Sequence, residues 1–485
     1  MRRRQLLRTL AGAGLGAAAA LGGAGATGRA ALAAGTATDR PPNVLFILCD
    51  DLGWGDLHCY GHAQIKTPNL DRLARQGMLF TQFYVNSAVC SPSRTAFMTG
   101  QYPARHRIHG HLAGHALNAS RGMPDWLDPA VPTLTHLLQQ AGYATAHFGK
   151  WHLGSGPGAP DPGAYGIDDH RTLVSNATDF AEAQKDEYFW AKSTGLFADE
   201  ALRFIEANKG RPWYVNLWTL VPHATLHPTD DDMKPYQRLA PGANLPYKGA
   251  LQIYYGTITA LDRDLGRLLE RLEALGQAEN TLVLFSSDNG PEDIHIRNAT
   301  HSGVGTPGPF RGRKRSLYEG GVRMPFIVRW PGHVPAGRIE TEAVLTAVDV
   351  LPTLCALAGV PVPAQHNLDG EDVSDILLGK SRSRTRPIFW QWRFRVFGYT
   401  IHQSPMLAVR DGKWKLLMNP DRSRMELYDI PADPSEVDNR ASEHPEVVDR
   451  LAKQLMAWQD TLPEGPVEAA AGKRDYAWPA PNQKP

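Results

Sequence analysis

A chain of 485 residues with 42% apolar and 21% charged side chains can bury a large core, with room for one large domain and a smaller one, which excludes a disordered or fibrous protein. The formal charge is +1, and no basic patch or single-sign run asks for nucleic acid or a membrane surface. Four cysteines, at 49, 59, 90 and 355, are too few for a disulfide framework and form no zinc-type cluster.

Residues 1–34 read as an export leader. Arg2-Arg3-Arg4-Gln5-Leu6-Leu7 precedes a weakly apolar Ala/Gly-rich stretch and the small-residue site Ala31-Leu32-Ala33. Two arginines, one further residue and two leucines resemble the twin-arginine signal, which implies the twin-arginine translocase as a partner and a periplasmic or secreted destination. Without the leader the chain carries 46 basic and 50 acidic residues, net −4.

From residue 41 to 380 short apolar strands alternate with amphipathic helices, the pattern of an α/β domain built on a large, mainly parallel sheet flanked by helices. Strands are predicted at 43–49, 144–148, 213–218, 281–287 and 326–329. Cys90-Ser91-Pro92-Ser93-Arg94 is predicted to open a helix, with Ser91 as cap, Pro92 at the first helical position and Gly100 as terminator. A longer helix over 255–275 shows an apolar stripe from Ile258 to Leu275 and ends before Gly276. After the charged link 380–384, residues 386–462 are predicted as a smaller antiparallel unit. Its strands fall at 387–393, 406–410, 413–418 and 426–429, Asp411-Gly412 makes a tight turn, and a closing helix runs over 447–459. The Pro/Ala/Gly-rich stretch 463–485 is predicted to be a flexible tail.

Four strands run into polar residues in the same sense. The first leads to Asp50-Asp51, the second to Lys150 and His152, the third toward His223, the fourth into Asp288-Asn289. In an open parallel sheet that edge is where ligands bind. Asp50, Asp51, Asp288 and Asn289 offer only oxygen, which suits one hard divalent cation, calcium or alternatively magnesium, rather than zinc or copper. Residues four apart share a helix face, so Arg94 is expected over Cys90 at a helix start that favours negative charge. A thiolate nucleophile is one reading of Cys90, because helix N-termini depress thiol pKa values, although the spacing to Arg94 is shorter than a thiol phosphatase loop.

The stretch from Cys90 to Gly100 resembles the signature of the type I sulfatases, C-x-P-x-R followed by T-G, in which the cysteine is oxidised to formylglycine. The likeness extends over most of residues 43–375, through Gly149-Lys150-Trp151-His152-Leu153-Gly154, Pro222-His223, Ser287-Asp288-Asn289-Gly290 and Glu319-Gly320-Gly321-Val322-Arg323-Met324-Pro325. It implies an alkaline-phosphatase-like fold and an enzyme that hydrolyses sulfate esters. It further implies that Asp50, Asp51, Asp288, Asn289 and the modified Cys90 hold the cation. The aldehyde made from Cys90, once hydrated, would attack sulfur with help from Arg94. Lys150 and Lys314 would hold sulfate oxygens, His223 would protonate the departing alcohol, and His152 would take the proton that releases sulfate. A formylglycine-generating enzyme, or an equivalent maturase, is the implied partner.

The wider likeness is to polysaccharide, N-acetylgalactosamine-sulfatase and arylsulfatase members, so a sulfated saccharide is expected as substrate, with an aryl sulfate as the alternative. His301 and Arg311, in the loop after Pro291, are candidate substrate contacts, as are His109, His111 and Arg313, and Trp390 and Trp392 are a candidate sugar platform. Two rivals remain open. One is a phosphonate or phosphodiester hydrolase of the same superfamily. The other is a non-catalytic protein that binds sulfated glycans.

Overall fold

The computed structural model describes residues 40–173, 186, 188–239 and 249–475. The expected leader and the last ten residues of the expected tail lie outside the described residues. From Pro41 onward the described residues form one compact body. Among them no helix is long and apolar enough to cross a membrane.

The large sheet is built from β1 (Asn43–Asp50), β2 (Met78–Tyr84), β3 (Ala144–Lys150), β4 (Asp169–Leu173), β5 (Trp213–Pro222), β6 (Thr281–Ser287), β7 (Arg323–Arg329), β8 (Arg338–Glu340) and β9 (Leu345–Thr346). Its order is β4-β3-β5-β1-β6-β7-β2-β8, with β9 on β2. Only β7 runs against its neighbours. β1 therefore lies between β5 and β6, both parallel to it, and the carboxyl ends of β1, β3, β5 and β6 meet at one edge.

Buried parallel strands read as near-continuous apolar runs because both faces are covered. In β1 the period of two divides those faces. Val44, Phe46 and Leu48 enter one core, whereas Leu45, Ile47 and Cys49 enter the other. The second core is roofed by α1 (Pro68–Gln76), α5 (Phe189–Asn208) and α6 (Ala250–Ala274), and the first by α2 (Cys90–Thr99), α4 (Leu134–Gln140) and α7 (Val350–Ala358). A short helix, α3 (His115–Ser120), lies in the loop between α2 and α4.

Helix α6 begins five residues before its expected start. Helix α2 begins at Cys90 rather than at Pro92. Val89 is the extended residue before it, and Ser91 Oγ accepts from the Leu112 amide at 3.0 Å instead of capping. Gly100 ends it in the left-handed conformation, φ 65°, as expected. Gly149 is required for the sheet itself, since at φ 109° a Cβ would lie 1.9 Å from the Trp218 carbonyl oxygen of β5.

A second sheet, antiparallel and ordered β10 (Ile388–Gln391), β11 (Leu407–Asp411), β12 (Trp414–Met418) and β13 (Glu426–Asp429), packs with α8 (Pro445–Gln459) onto the first core. Residues 463–475 are pinned rather than loose. Glu468 N donates to the Arg393 carbonyl at 2.9 Å, and the Gly472 carbonyl accepts from Arg424 at 2.7 Å. Trp390 and Trp392 are 0% and 3% exposed, so neither can offer a face to a sugar. The Trp390 indole N–H donates to the Val85 carbonyl at 2.7 Å, a core role. All four cysteines are free thiols.

Candidate active site

Asp50 ends β1, and Asp51 follows in the left-handed region at φ 66°. That turn is held from the neighbouring strand end, with Asp51 N donating to Asp288 Oδ1 at 3.2 Å and Leu52 N to Ser287 Oγ at 3.0 Å. Asp50, Asp51 and Asp288 are all buried, with carboxylate oxygens within 4.8 Å of one another. Asn289 joins them by donating Nδ2 to Asp51 Oδ1 at 2.7 Å.

Each carboxylate has a cation. Lys150 Nζ donates to Asp50 Oδ2 at 2.5 Å, and Lys314 Nζ to both Asp51 oxygens at 2.6 and 2.7 Å. Arg94 sends Nε and Nη2 to Asp288 Oδ2 at 3.0 and 2.7 Å and Nη1 to the Lys150 carbonyl at 2.9 Å. Arg94 thus spends its donors on orienting Asp288 rather than lying free above Cys90. β7 is antiparallel, so its first residues reach this same edge and carry the Lys314 loop there. β2, absent from the predicted strands, leads into Cys90 from the same direction.

Burial and the Asp50 charge raise Asp288 above the usual carboxylate range, despite Arg94. Asp51 goes the other way: burial opposes ionisation, but Lys314, His223 and Lys150 hold it well below that range. Asp50 Oδ1 and Asn289 Oδ1 are buried acceptors with no hydrogen-bond partner. Two orphaned oxygens beside a carboxylate triad fit a hard cation. Calcium in hundredfold excess over its Kd should then stabilise the apo protein by about 2.7 kcal/mol. The measurement is a melting curve with calcium, magnesium or chelator; coincident curves would remove the cation site.

The Cys90 thiol is 2% exposed, and burial raises its pKa although Lys150 and Lys314 pull the other way. That is the opposite of the depression expected at a helix start, and it disfavours a thiolate nucleophile. His152 sits at φ 55°, donates Nε2–H to the Leu112 carbonyl at 3.0 Å and leaves Nδ1 buried without a partner. Burial, then Lys150, His111 and Arg94, push its pKa well down, so Nδ1 keeps a lone pair. His223 donates Nδ1–H to the Ala224 carbonyl at 2.9 Å and points Nε2 at Asp51 Oδ2, 3.8 Å away. Burial and Lys314 lower its pKa to about 4.

The candidate substrate contacts fare differently. Arg311 turns to the small sheet, donating to the Ile401 and Glu436 carbonyls and Tyr428 Oη and lying 3.7 Å over the Tyr318 ring. Arg313 clamps the carbonyls of Glu292, Gly303 and Gly305. His301 has its Nδ1 buried without a partner, and no described contact joins it to the carboxylates. Glu292, which sequence reasoning passes over, pairs with Arg315 and lies 3.6 Å from Lys314 Nζ. Its only signal is its place two residues after the Gly290 turn. His147 also escapes the sequence pattern; it underpins Lys150, its Nε2 donating to the Lys150 carbonyl at 3.1 Å.

Topology and site together define an alkaline-phosphatase-like α/β hydrolase, with its chemistry gathered beyond the carboxyl ends of the central strands. Residues 42–360 match the family model described as Sulfatase, and residues 310–461 the one described as N-sulphoglucosamine sulphohydrolase, C-terminal. The chain belongs to the sulfatase family and is a sulfuric ester hydrolase. It is 35% identical to arylsulfatase A of Homo sapiens, with 79% of this chain and 76% of the relative covered. It is 30% identical to N-acetylgalactosamine-6-O-sulfatase of Bacteroides thetaiotaomicron, with 86% and 93% covered. Among solved structures, Ps i-CgsB in complex with k-i-k-neocarrahexaose superposes with a TM-score of 0.72 at 26% identity, covering 86% of this chain and 93% of that one.

Proposed function

We propose that this sulfatase hydrolyses a sulfate ester on a saccharide, with Cys90 oxidised to formylglycine and one divalent cation, calcium or alternatively magnesium, held by Asp50, Asp51, Asp288 and Asn289. The observation that carries the reading is a buried cysteine opening α2 at the sheet edge where an all-oxygen carboxylate triad and two lysines converge. When present, the hydrated aldehyde and the cation supply an activated oxygen nucleophile, with a second hydroxyl on the same carbon.

The chain's own groups account for the rest. Lys150 and Lys314 exchange a carboxylate contact for a sulfate oxygen and meet the charge of the transition state. Bound sulfate places negative charge near His223 Nε2 and raises its proton affinity, which protonating a departing alcohol requires. His152 Nδ1, with its free lone pair, accepts the proton whose loss lets sulfate leave. A formylglycine-generating enzyme or equivalent maturase supplies the oxidised residue. The N-terminal arginine motif supports export through the twin-arginine translocase to the periplasm or beyond.

Mass spectrometry of the residue 90 peptide from the native host should show the thiol replaced by an aldehyde. Cys90→Ala should abolish release of sulfate while leaving the melting temperature within a few degrees. Survival of turnover in that variant, or a preference of the native enzyme for phosphonate over sulfate esters, would overturn the reading.

A further inference from the structure

The reaction centre balances its charges. Arg94, Lys150, Lys314 and Arg315 each pair with a carboxylate, namely Asp288, Asp50, Asp51 and Glu292. Arg121 stands outside this balance. It follows α3, its guanidinium lies 4.9 Å over the Phe394 ring, and its Nη1 is buried without a partner. Among the described residues it makes no ion pair. Glu468, the acid whose charge acts on it, is engaged by Arg395 in an ion pair and by the Arg395 amide at 3.0 Å.

The charge of this unpaired cation reaches His111 and Arg315 beside the site. Its loop is fixed to the centre at Leu112, whose N–H is held by Ser91 Oγ and whose carbonyl accepts from His152. Burial, and then the fields of Arg121, Arg315, Lys314 and Lys150, lower the pKa of His111, the neighbour of Leu112, to about 3. Phe394 packs against the same loop. A Cβ on Gly110 would lie 3.0 Å from the Phe394 ring, and Arg315 lies 5.0 Å over Phe397. A half-buried guanidinium without a counter-ion is costly, and stacking on an aromatic ring holds its fork in place to meet two oxygens of an anion. The scissile sulfate is already provided for by Lys150 and Lys314.

Building on the saccharide reading above, we propose that Arg121 binds a second oxyanion of the substrate, a carboxylate or a further sulfate near the one that is cleaved, so that the preferred substrate carries two anionic groups. The test compares wild type, Arg121→Ala and Arg121→Lys on nitrophenyl sulfate and on disaccharides bearing one sulfate, one sulfate plus a uronate carboxylate, or two sulfates. Arg121→Ala should lower kcat/KM on the two-anion disaccharides by about 10- to 100-fold, mainly through KM. Nitrophenyl sulfate and the monoanionic sugar should stay within about twofold of wild type, and Arg121→Lys should recover part of the loss.

Loss confined to the uronate or to the disulfated sugar tells which oxyanion is read. Equal loss on every substrate, or loss on none, overturns the proposal. Calorimetric binding of the same disaccharides in a Cys90→Ala background, with and without Arg121→Ala, measures the same dependence without turnover. Binding that keeps its dependence on Arg121 while wild type releases no sulfate would count against the hydrolytic reading alone.

Discussion

Lys314→Ala is expected to reduce kcat/KM on nitrophenyl sulfate by about 10²- to 10³-fold, the usual cost of removing one preorganised donor from a developing oxyanion. The ammonium is buried, bonded to both oxygens of Asp51, and 3.6 Å from Glu292. Burial alone would lower its pKa, but Asp51 and Glu292 outweigh it and hold the group above its ordinary value, so the charge persists across the working pH range. Removing it also leaves Asp51 with no directly bonded cation, only the Asn289 amide, with Lys150 and a neutral His223 further off, and a buried carboxylate stripped of its direct partner costs about 3–5 kcal/mol. Kinetics and melting curves must therefore be read together, with Lys314→Arg to separate charge from shape. An activity loss under about tenfold in a folded variant would take Lys314 away from the sulfate.

The run Arg311-Gly312-Arg313-Lys314-Arg315 shows where sequence reasoning stops. Four cations in five residues have no periodicity, so nothing local says which one faces the reaction. In the structure Arg311 goes to the small sheet, Arg313 to loop carbonyls, Lys314 to Asp51 and Arg315 to Glu292. Family likeness singles out Lys314, whereas the choice of Arg311 as a substrate contact rests on its loop alone. The carboxylates are legible because β1 and β6 are buried on both faces, so their apolar runs stop sharply, at Asp50 and at the Ser286-Ser287 pair that precedes Asp288.

β2 hides behind Thr81-Gln82, polar residues in mid-strand. They are tolerated because Thr81 Oγ1 bonds the Glu340 carbonyl and Gln82 Nε2 the Thr341 carbonyl, both across a sheet edge no local window can see. β4, Asp-His-Arg-Thr-Leu, is half-buried at the opposite edge and has no apolar pattern to read. Trp390 and Trp392 point inward because β10 packs against the large sheet through Val85 and Tyr84. Arg121 is invisible for a different reason: its significance lies in a counter-ion it lacks among the described residues, and that follows only from a three-dimensional inventory of acids.

Lys415→Met should lower stability by about 3–5 kcal/mol, the cost of breaking a buried ionic group on one side. Lys415 is fully buried on β12, with Nζ 2.8 Å from Glu319 Oε1 and 3.0 Å from Glu436 Oε1. Glu319 opens the turn into β7, accepts from Tyr84 Oη at 2.5 Å and Arg323 Nη1 at 3.2 Å, and donates its own N–H to Glu436 Oε2 at 2.6 Å. The cluster therefore ties the small sheet to the segment that carries Lys314. Burial pushes Glu436 up to about 7 despite Lys415, with Glu319 adding to the rise, whereas Lys415, Arg323 and Arg410 overcome burial and hold Glu319 low.

The signs are opposite. Glu436, raised above its ordinary 4.5, contributes stability that is full below pH 4.5 and lost as pH rises through about 7; Glu319, lowered, contributes above pH 4.5 and loses it on acidification. Without the lysine both carboxyls gain proton affinity, so the deficit of Lys415→Met should be largest near pH 8 and shrink toward pH 5.5. Adding Glu436→Gln removes one of the facing charges and should restore part of the loss, a coupling that a double-mutant cycle measures. A deficit that is the same at both pH values and unmoved by Glu436→Gln would mean that Lys415 acts through packing beside Trp390, whose ring centre lies 5.6 Å from Nζ, and not through its charge.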